Sequence, residues 1–147
     1  MLKIGEKLIK LSKAKPADIK AMQTLVAPQV EAGIILPRSD DEVAQNIRSY
    51  ILAKSDEQII GFGALHIIAP DLAEVRSLIV APSEQKSGIG AKIVNELIAE
   101  ARELGLTRVI ALTYAQGFFE KLGFKLIEKS QIPSQKIWSD CVKCKHF

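Results

Sequence analysis

Cysteine, histidine and aromatic side chains are scarce in this chain. Its 147 residues hold two Cys and two His, and aromatics make up 5%. Two cysteines cannot form the disulfide framework of a small secreted fold. The first residues, Met1 to Lys15, are broken up by Lys3, Glu6, Lys7, Lys10 and Lys13, so no apolar export signal is expected. The expected compartment is therefore a reducing cytoplasm. Cys141, Cys144 and His146 offer three neighbouring ligands, and a structural zinc site needs four, so no metal is expected. Cys141 and Cys144 are read as reduced thiols. No apolar run approaches the roughly 20 residues of a membrane helix. A strong charge of one sign is also missing, because 20 Lys+Arg against 17 Asp+Glu leaves only +3. Without a clustered basic face, nucleic acid is not an expected partner. The small positive surplus suits an anionic small ligand instead.

What is present is an ordinary globular composition, 48% hydrophobic and 25% charged. One domain over residues 1–147 is expected, with no repeat and no linker. Leu8 to Leu11 reads as a strand. Pro16-Ala17-Asp18 starts a helix in which Ile19, Met22, Leu25 and Val26 share a face, and Pro28 is expected to stop it. Ser39 to Glu42 is a capping box, opening a short helix over about Asp40 to Asn46. Arg48 to Ala53 and Gln58 to Ile68 read as a hairpin, and Glu74 to Val80 as the next strand, ended by Pro82. A long helix follows, with Ile89, Ile93, Val94, Leu97, Ile98, Ala101 and Leu104 on one face and Gly105 as its C-terminal cap. Arg108 to Thr113 is strand-like, Phe118 to Leu122 helical, and Phe124 to Ile127 and Lys136 to Trp138 are candidate closing strands. The mixed order gives an α/β or α+β class.

The segment from Glu74 to Gly90 carries the chemistry. A strand ends at Val80, and Gln85-Lys86-Ser87-Gly88-Ile89-Gly90 opens the longest helix. The first amides of a helix have no intrahelical acceptor, and the helix dipole adds partial positive charge there. Such an end binds phosphate. Gly88 and Gly90 let a pyrophosphate approach the backbone, and Lys86 adds a cation at the rim. The segment is neither a P-loop nor a dinucleotide fingerprint, since the lysine of the one and the third glycine of the other are missing.

Gln85 to Gly90 resembles the Q/R-x-x-G-x-G/A pyrophosphate motif of the GNAT N-acetyltransferase superfamily, and Phe118 to Phe124 resembles its aromatic-x-x-x-Gly-Phe signature. The resemblance implies a central, mixed but mostly antiparallel sheet flanked by helices, with acetyl-CoA as co-substrate. It implies that amides from Gln85 to Gly90 hold the pyrophosphate. The pantetheine arm would run beside Leu78, Ile79 and Val80 like an added strand, and an amide near Leu78 would face the acetyl oxygen. Phe119 stands where many relatives place a tyrosine acid beside CoA. A phenyl ring has no proton to give, so the thiol, with a free pKa of about 8.5, would leave as thiolate. Tyr114 is a second candidate acid, beside a packing role. Glu74, eleven residues before Gln85, matches the glutamate base of many relatives.

Leu36 to Ser39, Gly63 to Leu65, Glu74 to Ser77 and Ala111 to Thr113 more narrowly resemble the amino-acid N-acetyltransferases, the N-acetylglutamate synthases. This implies L-glutamate as acceptor, in arginine biosynthesis, and a stand-alone form without the second domain those enzymes often carry. Two acceptor carboxylates need cations. Arg38 is the first candidate, Arg76 the second and Lys136 the third, with the main chain of Ser77 nearby. Arg76 shares a strand face with Glu74, so it is equally a structural ion-pair partner. Another small amine, a protein N-terminus or a non-catalytic acyl-CoA-binding module stand as alternatives. A homodimer is left open.

Overall fold

The computed structural model describes residues 2–4, 7–85, 87–113 and 115–127. Ten elements follow in order: β1 (Leu2–Ile4), β2 (Lys7–Lys13), α1 (Ile19–Glu31), α2 (Asp40–Gln45), β3 (Tyr50–Ser55), β4 (Gln58–Ala69), β5 (Leu72–Val80), α3 (Ile89–Glu103), β6 (Arg108–Ala111) and α4 (Gln116–Lys121). The strands form one sheet in the order β1-β2-β3-β4-β5-β6. Every pair is antiparallel except β5 with β6, which run parallel. The expected mixed, mostly antiparallel sheet is therefore present.

Alternation along the strands sends side chains to two cores. Ile51, Ala53, Leu65, Ala73 and Val75 face α3 and α4, where they meet Ile89, Ile93, Val94, Leu97 and Phe119. Tyr50, Leu52, Phe62, Ala64 and Ile79 face α1 and α2, against Met22, Val26 and Val43. Leu97 has no exposed surface, and its methyl group would come within 3.3 Å of a β-carbon added at Gly63. Leu97→Ala is thus expected to cost about 2–5 kcal/mol. The check is a lower denaturant midpoint at unchanged slope.

The capping box forms as expected: the Glu42 amide donates to Ser39 Oγ at 3.1 Å, and the Ser39 amide donates to Glu42 Oε1 at 3.2 Å. The β3–β4 turn is tight because Asp56 and Glu57 both take positive φ, 50° and 65°, which matches the right-handed twist of the strands. Three expectations need correction. Pro28 does not stop α1, which runs to Glu31, because a proline there removes only one hydrogen bond near a helix end. Leu104 leaves the buried face of α3 and is more than half exposed, since it caps the helix rather than continuing it. Phe124 to Ile127 forms no strand with the described residues, and the Phe124 amide is turned back to the Phe119 carbonyl at 3.1 Å. Lys136 to Trp138 lies outside the described residues. No described helix is long and apolar enough to cross a membrane.

Candidate active site

The parallel pairing of β5 with β6 stops early. β6 accompanies β5 only from Leu72 to Val75, whereas β4 follows β5 as far as Val80. Beyond Val75 the backbone of β5 has no strand on that side among the described residues, and an extended ligand can add there. The open edge ends at the start of α3. Gly88 is the N-cap residue, at φ +85°, and no side chain caps the helix. Among the described residues, the amide-bearing mouth of α3 is thus not filled by a capping side chain.

The two glycines serve different ends. A β-carbon at Gly88 would meet nothing within 4 Å, so that side of the turn is open, and glycine is there for the left-handed backbone. A β-carbon at Gly90 would lie 3.3 Å from the Phe118 ring and 3.6 Å from Val80, so Gly90 lets α3 pack closely. Gln85 Nε2 donates to the Val80 carbonyl at 3.3 Å, and Ser87 Oγ donates to the Glu84 carbonyl, tying the loop to the strand. Lys86 lies outside the described residues. Phe119, 6% exposed, belongs to the core, its ring edge-on to Phe118 and Phe124 at 5.0 and 5.1 Å. The aromatic side chain beside Gly90 is Phe118.

Within β5 the register slips. Phe62 pairs with Ile79 and Ala64 with Arg76, so β5 carries one extra residue, a bulge over Ser77 and Leu78. Ser77 takes a φ of +55°, a conformation that L side chains avoid. The bulge turns two consecutive residues toward the α1 side: Arg76 lies in the row of Ala64 and Tyr50, and Ser77 lines a small pocket under α1.

That pocket, about 20 Å³, holds room for about one water. It brings together Gln23, Arg38, Tyr50 and Ser77, which are far apart in sequence. Gln23 Nε2 donates to the Arg38 carbonyl at 2.7 Å and to Asp40 Oδ1 at 3.1 Å, so α1 holds the arginine loop in place. Arg38 Nε is buried without a hydrogen-bond partner among the described residues. Glu74 lies on the same face of β5, 3% exposed, with Arg76 Nε 3.2 Å from its Oε1. The ion pair is the one the spacing allowed, and it places Arg76 beside the carboxylate. His66 stands opposite Glu74 in the ladder.

Tyr50 was not singled out by the sequence, where an aromatic at the start of a strand reads as packing. It is 4% exposed, and burial pushes its phenol above the ordinary value. The Arg38 charge, a side-chain hydrogen bond with Ser77 and the Arg76 charge pull in the opposite direction. A larger hollow of about 580 Å³ lies between β6, α4 and residues 122–127. It touches none of the candidate residues except Phe119, and the described chain ends at its rim, so the small pocket on β5 is the better site. Lys136 and Tyr114 lie outside the described residues. Among the described residues, no group of three His, Cys, Asp or Glu is placed to hold a metal.

The family model described as the acetyltransferase (GNAT) family matches residues 20–124. The chain belongs to the GNAT acetyltransferase family. An uncharacterized N-acetyltransferase of Chlorobaculum tepidum is 37% identical over 89% of this GNAT chain and 84% of its own length. An amino-acid acetyltransferase of Mycobacterium tuberculosis is 32% identical, over 84% of this chain and 72% of its own. Among solved structures, the N-acetylglutamate synthase of Neisseria gonorrhoeae, complexed with coenzyme A and N-acetyl-glutamate, superposes with a TM-score of 0.86 at 26% identity. That match covers 94% of this chain but only 33% of the Neisseria protein.

Proposed function

We propose that this GNAT chain transfers acetyl from acetyl-CoA to the α-amine of an amino acid, with L-glutamate as the acceptor. The donor half of the reading rests on the bare mouth of α3 beside the open edge of β5. Amides from Gln85 to Gly90 receive the pyrophosphate, and the pantetheine arm adds along Leu78 to Val80. In direct attack, the acceptor nitrogen adds to the thioester carbon, and the carbonyl becomes an oxyanion facing the Leu78 amide. Glu74 takes the proton that the acceptor ammonium loses before attack, directly or through a water, and the nitrogen sheds its second proton to solvent after addition. The C–S bond then breaks and CoA leaves as thiolate, which takes a proton from solvent.

The observation that carries the acceptor half is the unpartnered Arg38 Nε, buried beside Ser77 on the face that holds Glu74. A buried guanidinium nitrogen left without a partner is costly, and a substrate carboxylate satisfies it. The narrow sequence likeness to the amino-acid acetyltransferases supports the same acceptor, in the opening step of arginine biosynthesis. A reducing cytoplasmic setting fits the substrates.

Arg38→Ala is expected to raise KM for glutamate roughly 10- to 100-fold with little change for acetyl-CoA. Equal effects on both substrates would remove Arg38 from the acceptor site. The direct test of the function is thiol release from acetyl-CoA across the amino acids. A signal with glutamate alone supports the proposal. A signal with another amine reassigns the acceptor, and silence with every amine alongside tight CoA binding makes the chain an acyl-CoA-binding module.

A further inference from the structure

Arg38 sits at the end of a loop, residues 32–39 between α1 and α2, yet an acceptor site needs its guanidinium in one place. Loops are more mobile than the elements they join, and arginine has many rotamers. The first half of the loop is tied back to α1, since the Ile34 and Ile35 amides donate to the Gln29 carbonyl at 3.0 and 3.3 Å. Pro37, beside Arg38, has no amide hydrogen to contribute. The peptide between Arg38 and Ser39 is held at both of its polar atoms by side chains. Its carbonyl accepts from Gln23 Nε2 at 2.7 Å, and its amide donates to Glu42 Oε1 at 3.2 Å. The second hydrogen of the Gln23 amide goes to Asp40 Oδ1 at 3.1 Å, so both are engaged at this one turn. The helix beneath Gln23 is anchored on the sheet by Met22 and Val26, 2% and 8% exposed. At this half-buried position leucine would serve the helix as well and bury more apolar surface, so a glutamine points to its hydrogen bonds.

We propose that Gln23 is a positioning residue of the acceptor site, clamping the Arg38–Ser39 peptide so that the Arg38 guanidinium stands ready in the pocket it shares with Ser77. The inference rests on the reading of Arg38 as the residue that takes the acceptor's carboxylate. Gln23 acts through that peptide and not on the reacting atoms. With the peptide fixed, the cost of ordering the arginine falls on folding rather than on binding. Without the clamp, the loop end and its guanidinium must be ordered each time an acceptor arrives.

Gln23→Leu keeps the size of the side chain and loses both donors. It is expected to raise the KM for glutamate roughly tenfold, the cost of ordering a long side chain and its loop on binding. Its kcat is expected within about threefold of wild type, with the KM for acetyl-CoA unchanged. Gln23→Glu keeps the shape but turns a carboxylate toward Asp40 and the Arg38 carbonyl, so its KM for glutamate is expected to rise at least as far. The deciding measurement is a double-mutant cycle with Arg38→Ala. Once the guanidinium is gone, Gln23→Leu is expected to change kcat/KM for glutamate by less than about twofold. An equal loss in both backgrounds would make Gln23 a packing residue and overturn the proposal. So would a wild-type KM for glutamate in both Gln23→Leu and Gln23→Glu.

A second readout needs no turnover. Arg38 Nε is buried, so the NMR signal of its hydrogen, assigned by its loss in Arg38→Ala, is expected to exchange slowly with water. In Gln23→Leu the same signal is expected to exchange at least about tenfold faster, because the loop end opens more often. Unchanged protection in Gln23→Leu would overturn the clamp, even if the wild-type protein proved inactive with every amine. Inactivity of the wild type would count against the acyl-transfer reading alone.

Discussion

Glu74→Gln should leave acetyl-CoA affinity near wild type while kcat falls about 100-fold or more. An ammonium has no lone pair, so the acceptor must lose a proton before it can attack. Glutamine keeps the shape of the side chain and cannot take that proton. The substitution also removes a charge partner of Arg76, 3.2 Å away, and so changes the charge balance near the acceptor. The variant is therefore read with two measurements. Calorimetry with acetyl-CoA reports whether β5 is still in place, and turnover against pH reports the base. Unchanged turnover at neutral pH would remove Glu74 from the mechanism and leave it as the structural half of an ion pair.

Gly88→Glu should abolish CoA binding. The position has φ +85° and open space where the side chain would project. A glutamate there puts a carboxylate at the mouth of α3, where the free amides and the helix dipole favour a negative charge. The protein would then fill its own phosphate site and repel the ligand. Backbone strain acts as well, because a non-glycine residue in this conformation costs roughly 1–2 kcal/mol. Gly88→Ala separates the two effects, since it carries the strain without the charge. We expect Gly88→Ala to retain measurable CoA affinity and Gly88→Glu to show none in calorimetry. Retained affinity in Gly88→Glu would place the pyrophosphate elsewhere.

The sequence was most legible where a local rule governs the outcome. The Ser39–Glu42 capping box, the turn between β3 and β4 and the buried face of α3 through Ala101 follow from spacing within a few residues. So does the Glu74–Arg76 neighbourhood, because residues two apart on a strand share a face. The failures came where a neighbour outside the window decides. Pro28 sits inside α1 because the helix needs only one more turn beyond it. Gly90 is read as a phosphate glycine, and the tertiary structure adds a packing demand that the spacing does not carry, since a β-carbon there would lie 3.3 Å from the Phe118 ring.

The order of residues thus settled the element types, the glycine-bearing start of α3 and the residue types able to hold phosphate, carboxylate and a proton. These depend on backbone sterics and side-chain chemistry, which each residue carries with it. Folding alone produced the early parting of β6 from β5, the extra residue at Ser77 and the pocket that joins Gln23, Arg38, Tyr50 and Ser77. Strand register and the packing of α1 over the sheet are long-range outcomes. They follow from which faces the two cores bury together, and no short stretch of chain encodes that choice.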